Sequence, residues 1–384
     1  MNISQSVIYV GVDDHKIDLF EGQYAVPNGV SYNSYLILDE KIALMDSVDA
    51  RKTEAWLRNV DQALNGRQPD YLVVAHLEPD HSGSIQAAAE KYPDMRLVMS
   101  AKALTMLPQF VDAALASRVI AVKENDTLSL GSHTLQFIMA PMIHWPEVMI
   151  SYERSEKLLF SADAFGKFGA LDTQEEWLPE ARRYYLNIVG KYGTPVQGLL
   201  KKAAALDIRT ICPLHGPVLQ ENLGYYLDKY QQWSSYTPEE KGTLIAYGTL
   251  HGNTARAALL LADKLRAAGE TVTVADLARD DMARALADAF RFDKMVLACP
   301  TYDGNFFPKM EDFLLHLKAK SFQKHRVALI ENGSWAPMAA KCMKAYLEQM
   351  KDITLIEPIV TIKSTLSAEN LEQLSSLAEA IMQD

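Results

Sequence analysis

The stretch YLVVAHLEPDHSGS, Tyr71 to Ser84, is an apolar run that breaks into four polar groups: His76, Glu78, Asp80 and His81. A short, uninterrupted apolar run reads as a buried strand. Alternate residues of a strand share a face, so positions 76, 78 and 80 converge if the extension persists, with His81 turning in from the loop beyond. Pro79 cannot donate to a ladder, which places the group in a loop just past the strand end. Ser82-Gly83-Ser84 then leads into a helix near Ile85. Two imidazoles and two carboxylates presented together at a strand end suit metal ligation better than packing.

Three later segments repeat the pattern of an apolar run with a ligand type at its end. His144 sits in PMIHWPE, Asp163 in LLFSADAFG and His215 in TICPLHGP. Each taken singly is as readily a capped loop residue, so the argument rests on H-x-E-x-D-H taken whole. His15 and His133 lie in polar, turn-like surroundings and read as ordinary loop histidines. Seven ligands exceed the four that one zinc takes, and a carboxylate can bridge two ions. Nitrogen and oxygen donors without a thiolate suit iron or manganese. Two ferrous ions would be neutralised by three carboxylates and a bridging hydroxide. Glu78 stands where hydrolases of similar pattern carry His; that exchange would remove a negative charge and favour hydrolysis over redox work.

The chain has 384 residues, too many for one ordinary core, which suggests two domains. Its apolar share of 48% and charged share of 23% are those of a globular protein. A net charge of −11 with no basic run argues against a nucleic-acid footprint. Cys212, Cys299 and Cys342 are far apart and form no C-x-x-C, which disfavours disulfides and thiolate metal sites and fits a reducing cytoplasm. No signal-peptide pattern and no run of about 18 apolar residues is visible, so no membrane span is expected.

The rhythm changes near residue 240. Before it, Tyr35–Leu38 and Ile42–Met45 flank Asp39-Glu40 as a hairpin. Arg96–Ser100, Leu135–Met139, Val148–Tyr152 and Leu158–Ser161 read as strands. Lys52–Leu64, Ile85–Lys91 and most of Gln174–Leu206 read as helical. WSSYTPEEKG, Trp233 to Gly242, reads as a linker. After it, strands TLIAYG, TVTVADL, KMVLACP, RVALIE and ITLIEP alternate with helices near Thr254–Ala268, Lys309–Lys318, Pro337–Met350 and Ala368–Met382. This alternation predicts a doubly wound parallel sheet. Domains of 1–240 and 241–384 are expected.

The second half opens with a strand, then Thr249-Leu250-His251-Gly252-Asn253-Thr254, then a helix. Hydroxyls and backbone N–H groups at a helix N-terminus bind phosphate without needing Lys or Arg. The loop is neither a G-x-x-x-x-G-K-[ST] nor a G-x-G-x-x-G, which favours a mononucleotide. Two more strand-end loops offer aromatics and amides to a flat heterocycle. One runs Pro300-Thr301-Tyr302-Asp303-Gly304-Asn305 and the other holds Asn332-Gly333-Ser334-Trp335.

Together these motifs resemble the flavodiiron proteins, or A-type flavoproteins, over nearly the whole chain. The resemblance implies a metallo-β-lactamase-like αββα sandwich followed by a flavodoxin-like domain, with FMN and two iron ions as cofactors. It implies one iron on His76, Glu78 and His144, a second on Asp80, His81 and His215, and Asp163 between them. It implies reduction of dioxygen to water, of nitric oxide to nitrous oxide, or of both. It further implies a head-to-tail homodimer or dimer of dimers, in which the flavin of one chain faces the irons of the other. Because the chain stops after the flavodoxin-like part, it resembles the minimal two-domain class and expects a separate electron donor, rubredoxin or a reductase. Two departures stand out. Glu21 occupies the place where some members carry a His, and ENGSW stands for a G-S-Y-G-W-like run. Tyr24, Trp145 and Phe168 are candidates for the apolar pocket wall. Two rival readings remain open: a zinc hydrolase with an accessory flavodoxin domain, and a flavin electron carrier without enzymatic activity.

Overall fold

The computed structural model describes residues 2–383; Met1 and Asp384, the outer ends of the two expected domains, lie outside the described residues. Contacts divide the chain into two units. One comprises the chain up to Tyr185 together with Thr194–Gln231, and the other comprises Leu186–Gly193 and the chain from Gln232 on.

The first unit is built on two sheets. In one, the strands run in the order Val7–Tyr9, Tyr35–Ile37, Ala43–Met45, Tyr71–Val73, Arg96–Ser100 and Val119–Val122. In the other, the order is Thr127–Ser129, Thr134–Met139, Met149–Glu153, Leu158–Phe160 and Thr210–Cys212. Their inner faces share one core, in which Ile37, Met45, Val73 and Val98 of the first sheet meet Phe137, Met149, Phe160 and Cys212 of the second. This is sheet-on-sheet packing of the sandwich type. Helices cover the outer faces. Thr53–Leu64 buries Trp56, Val60 and Leu64, a stripe spaced at four residues. The expected hairpin forms, with Leu36 opposite Leu44 in antiparallel register.

Two details differ from the sequence reading. The strand Tyr71–Val73 ends earlier than its apolar run, because Asp46 draws the next turn away: its carboxylate accepts from the amide of Ala75 at 3.0 Å. Pro79–Ser82 is then a short helix with proline in its first turn, the position where a missing N–H costs nothing. Asp80 and His81 are therefore helical rather than extended. Likewise Trp233 and Ser234 close the helix Leu223–Ser234, and Glu240–Gly242 open the strand Glu240–Tyr247, so only residues 235–239 lie between regular elements. Trp233 escapes a linker role because it is buried, and its indole donates to Glu239 at 2.6 Å.

The second unit holds a parallel sheet in the order Val272–Asp276, Glu240–Tyr247, Phe292–Tyr302, Arg326–Asn332 and Thr354–Ile362. Numbered along the chain this is 2-1-3-4-5, the flavodoxin-like order. Ile245, Val296, Ala328 and Ile330 pack against Ala258 and Leu261 of helix Asn253–Ala267 and Leu374 and Ile381 of helix Ala368–Met382. Helix Met282–Arg291, which the sequence reading left unassigned, fills the crossover between the second and third strands. Its many alanines blur the polar-apolar contrast on which periodicity depends. The segment Leu186–Gly193 is tied into this unit: the Asn187 amide donates to Ala283 O at 3.1 Å, Lys320 donates to Asn187 O, and Tyr236 donates to Gly190 O at 3.0 Å. Among the described residues, no helix is long and apolar enough to cross a membrane.

Candidate metal and flavin sites

Three strand exits and one inter-strand loop of the sandwich bring the seven expected ligands together. His76, Glu78, Asp80 and His81 follow strand Tyr71–Val73; His144 lies between Thr134–Met139 and Met149–Glu153; Asp163 and His215 follow Leu158–Phe160 and Thr210–Cys212. All seven are buried or nearly so. The turn carrying the first four is held from below. Asp46 grips Ala75 N, the carboxylate of Glu147 accepts from Leu77 N at 2.9 Å, and Ser82 donates to Leu77 O at 2.8 Å. Burial pushes the Asp46 carboxyl up to about 7.

Asp163 divides the cluster. Its Oδ2 lies 3.3 Å from His76 Nε2 and 3.0 Å from His144 Nε2. Its Oδ1 lies 3.7 Å from His81 Nε2 and 3.9 Å from His215 Nε2. Glu78 joins the first group at 2.9 Å from His144, and Asp80 joins the second at 3.4 Å from His81 and 3.3 Å from His215. Two nests of donors thus share one carboxylate, and each nest contains two imidazoles and a carboxylate of its own.

The protonation pattern suits cations. His215 Nδ1 donates to Ser31 O at 2.7 Å, so in the neutral ring its Nε2 offers a lone pair. That lone pair faces His81 Nε2 at 3.0 Å, a distance at which two lone pairs repel unless a proton or cation lies between them. His76 Nε2, both oxygens of Asp80 and Asp163 Oδ1 are buried without a hydrogen-bond partner. Buried polar atoms rarely stay unpaired, so this concentration fits metal ions as the missing partners. Burial pulls the His144 imidazole down, but its hydrogen bonds to Asp163 and Glu78 outweigh that and push it up to about 10. His81, where burial dominates, falls to about 4. Glu78 is held below the carboxylate range: burial raises it, but His144 and His76 more than reverse that.

The rings against these imidazoles were not all foreseen. Phe20 meets His215 edge-on at 5.5 Å, Tyr184 lies at 5.5 Å from it, and Tyr32 stands at 6.0 Å from His215 and 6.4 Å from His81. Of the expected wall residues, Phe168 sits against Tyr184 at 5.1 Å and Tyr24 against Phe168 at 6.0 Å, while Trp145 meets Phe110 at 6.1 Å. Tyr32 lies between Ser31 and Asn33 and Tyr184 follows Arg182-Arg183, and neither setting points to the strand-end imidazoles that the fold places beside them. A cleft of about 350 Å³ opens beside Glu78 and Asp80 and is also lined by Glu21, Tyr32, Asp49 and Arg51. His133 is held between Asp39 at 2.8 Å and Glu156 at 3.0 Å, an ordinary buried ion pair. His15 pairs with Asp172 at the surface.

In the second unit a cleft of about 590 Å³ lies at the carboxyl ends of strands Glu240–Tyr247, Phe292–Tyr302 and Arg326–Asn332. Thr249, Leu250, His251, Asn253 and Thr254 line one side, and Pro300 to Gly304 with Asn332 to Trp335 line the other. The loops are fixed in advance. Asn332 exchanges hydrogen bonds with Ser364 N and O at 2.9 Å, and Thr301 Oγ1 accepts from Met338 N at 2.8 Å. Two expected contacts do not line the cleft. Gly252 shapes it instead, at φ 89° just before the helix, and Asn305 pairs with Tyr302 in a short hairpin. Ala336, Met338 and Ser364 line it without having been foreseen. The size, the helix N-terminus and the switch point between the first and third strands fit a mononucleotide.

Residues 30–216 match the family described as ODP family beta lactamase, and residues 244–362 match a flavodoxin domain. The fold is that of the flavodiiron protein from Giardia intestinalis, at a TM-score of 0.92 and 24% identity over 99% of this chain and 96% of that one. Nitric oxide reductase from Moorella thermoacetica is 30% identical over 99% of this chain and 97% of its own length. The chain belongs to the flavodiiron proteins. Rubredoxin oxygen:oxidoreductase from Desulfovibrio gigas superposes with a TM-score of 0.90 at 26% identity, covering 99% and 97% of the two chains. This flavodiiron protein is an oxidoreductase, and its cofactors are FMN and a pair of irons.

Proposed function

We propose that the protein reduces dioxygen to water, nitric oxide to nitrous oxide, or both, at a diiron site supplied with electrons by FMN. The observation that carries this is Asp163, whose two oxygens face two different donor nests. His76, Glu78, His144 and Asp163 would hold one iron, and Asp80, His81, His215 and Asp163 the other. The irons supply binding of the gas and a two-electron reservoir. The flavin, held by the Thr249–Thr254, Pro300–Asn305 and Asn332–Trp335 loops, doubles that reservoir to the four electrons that dioxygen requires. The protein's own part is positional. Ser31 fixes the tautomer of His215, Asp46 and Glu147 fix the turn that carries His76 and Glu78, and the rings of Phe20, Tyr32 and Tyr184 keep the imidazoles in a dry setting.

The division of labour follows the two halves, with residues 1–240 carrying the irons and 241–384 the flavin. We assign the electron donor to a separate rubredoxin or reductase, as the name of the Desulfovibrio relative suggests. A head-to-tail homodimer accounts for the exposed apolar rim of the flavin cleft, where Trp335 is 92% exposed beside Tyr302 and Leu250. The relatives' names point to both gases, so the deciding experiment uses both. Purified protein loaded with iron and FMN is reduced anaerobically with counted electrons and exposed to each gas in parallel. Rapid reoxidation with consumption of one gas assigns that substrate. Zinc rather than iron by elemental analysis of the protein as isolated, or bound FMN with neither gas consumed, would return the protein to the rival readings.

A further inference from the structure

Tyr32 is fully buried at the end of strand Val30–Tyr32. The residue before it, Ser31, accepts from His215 through its carbonyl, so the same turn of chain orients an iron ligand and presents the phenol. The ring stands edge-on to His81 and His215 and lines the cleft that opens beside Glu78 and Asp80. Its oxygen accepts a hydrogen bond from Arg51 Nη2 at 3.0 Å. Its own O–H hydrogen has no acceptor among the described residues.

Arg51 is not free to wander. Its Nε and Nη2 fork onto Asp49 Oδ1 and Oδ2, both at 2.9 Å, and Asp49 also accepts from the Arg51 amide at 2.8 Å. The guanidinium reaches the solvent side of the cleft, with its side chain 53% exposed, while the phenol lies at the inner end. A cation donating to the phenol oxygen polarises the O–H and makes it a stronger donor. A phenylalanine would fill the same space, so the buried hydroxyl has a use that packing does not explain.

We propose that Tyr32 donates a hydrogen bond to the oxygen end of the gas held in the metal pocket, and that Arg51, anchored by Asp49, is the positioning residue that aims it. This rests on the reading of the pocket as a gas-reducing centre. A donor aimed at an oxygen that gains negative charge during reduction would stabilise that charge.

The test is the infrared N–O stretching band of the nitric oxide complex of reduced, iron-loaded protein, measured for wild type, Tyr32→Phe and Arg51→Met at equal iron content. The hydrogen bond draws electron density onto the oxygen, so its loss is expected to move the band to higher frequency in Tyr32→Phe and by a smaller amount in Arg51→Met. Arg51 is half-exposed, so its variant tests the relay without touching the core. A band unmoved in either variant overturns the role assigned to the pair. If iron-loaded wild type shows no nitric oxide band at all, the reading of the centre itself falls, and this proposal with it.

Discussion

Asp163 is the residue on which the two nests depend, because one carboxylate supplies a donor to each. An amide at this position keeps one oxygen and turns the other ligand into an NH₂ that cannot bind a cation. Asp163→Asn is therefore expected to retain the fold by circular dichroism and to lose at least one of its two irons by elemental analysis. His144 carries a pH consequence. Its pKa in the folded, metal-free protein is raised from the ordinary 6.5 to about 10, so the imidazolium stabilises that form fully below 6.5. The contribution is lost as pH rises through about 10. Metal-free protein should accordingly show a falling Tm between neutral and strongly alkaline pH. A cation must displace the same proton, so iron binding should release protons at neutral pH and tighten as pH rises. Equal binding enthalpies in buffers of different ionisation enthalpy would contradict this.

At the scale of single elements, the hairpin that follows strand Tyr35–Ile37 is secured at a distance by His133, whose ring lies between Asp39 and Glu156. His133→Leu leaves two carboxylates without their partner and should cost about 1–3 kcal/mol, read from urea denaturation. In the other unit, Gly252 takes φ 89° where the strand hands over to helix Asn253–Ala267. An L side chain there costs about 1–2 kcal/mol. Gly252→Ala should weaken FMN binding roughly tenfold, seen in flavin fluorescence. Elements of this kind also show where sequence reading succeeds and stops. The parallel strands after residue 240 and the loops that gather the seven candidate ligands were legible because apolar runs and polar exits contrast sharply along the chain. The early end of strand Tyr71–Val73 was not, since it depends on Asp46, which is distant in sequence. Tyr32 and Tyr184 were hidden for a related reason: their place beside His81 and His215 is set by residues distant in sequence.

For the molecule as a whole, the proposed head-to-tail dimer makes a prediction that either half alone cannot. A chain lacking a proposed iron ligand, His81→Ala, and a chain that cannot hold FMN should each be inactive. Mixed under conditions of subunit exchange, they should regain part of the gas consumption, because one chain brings the flavin and the other the irons. A mixture as inactive as its components would argue for electron transfer within one chain. The same experiment with donor supplied in excess separates transfer between cofactors from delivery by the outside partner.

The segment Leu186–Gly193 has a bearing on how the protein can be dissected. It leaves the first unit, ties itself to Ala283 and Lys320 in the second, and returns before the chain finally crosses over between Gln231 and Gln232. A cut in that stretch therefore does not part the protein along its seam. A fragment beginning at residue 240 would lack the strap that Ala283 and Lys320 engage, and its partner fragment would carry that strap with nothing to fasten it to.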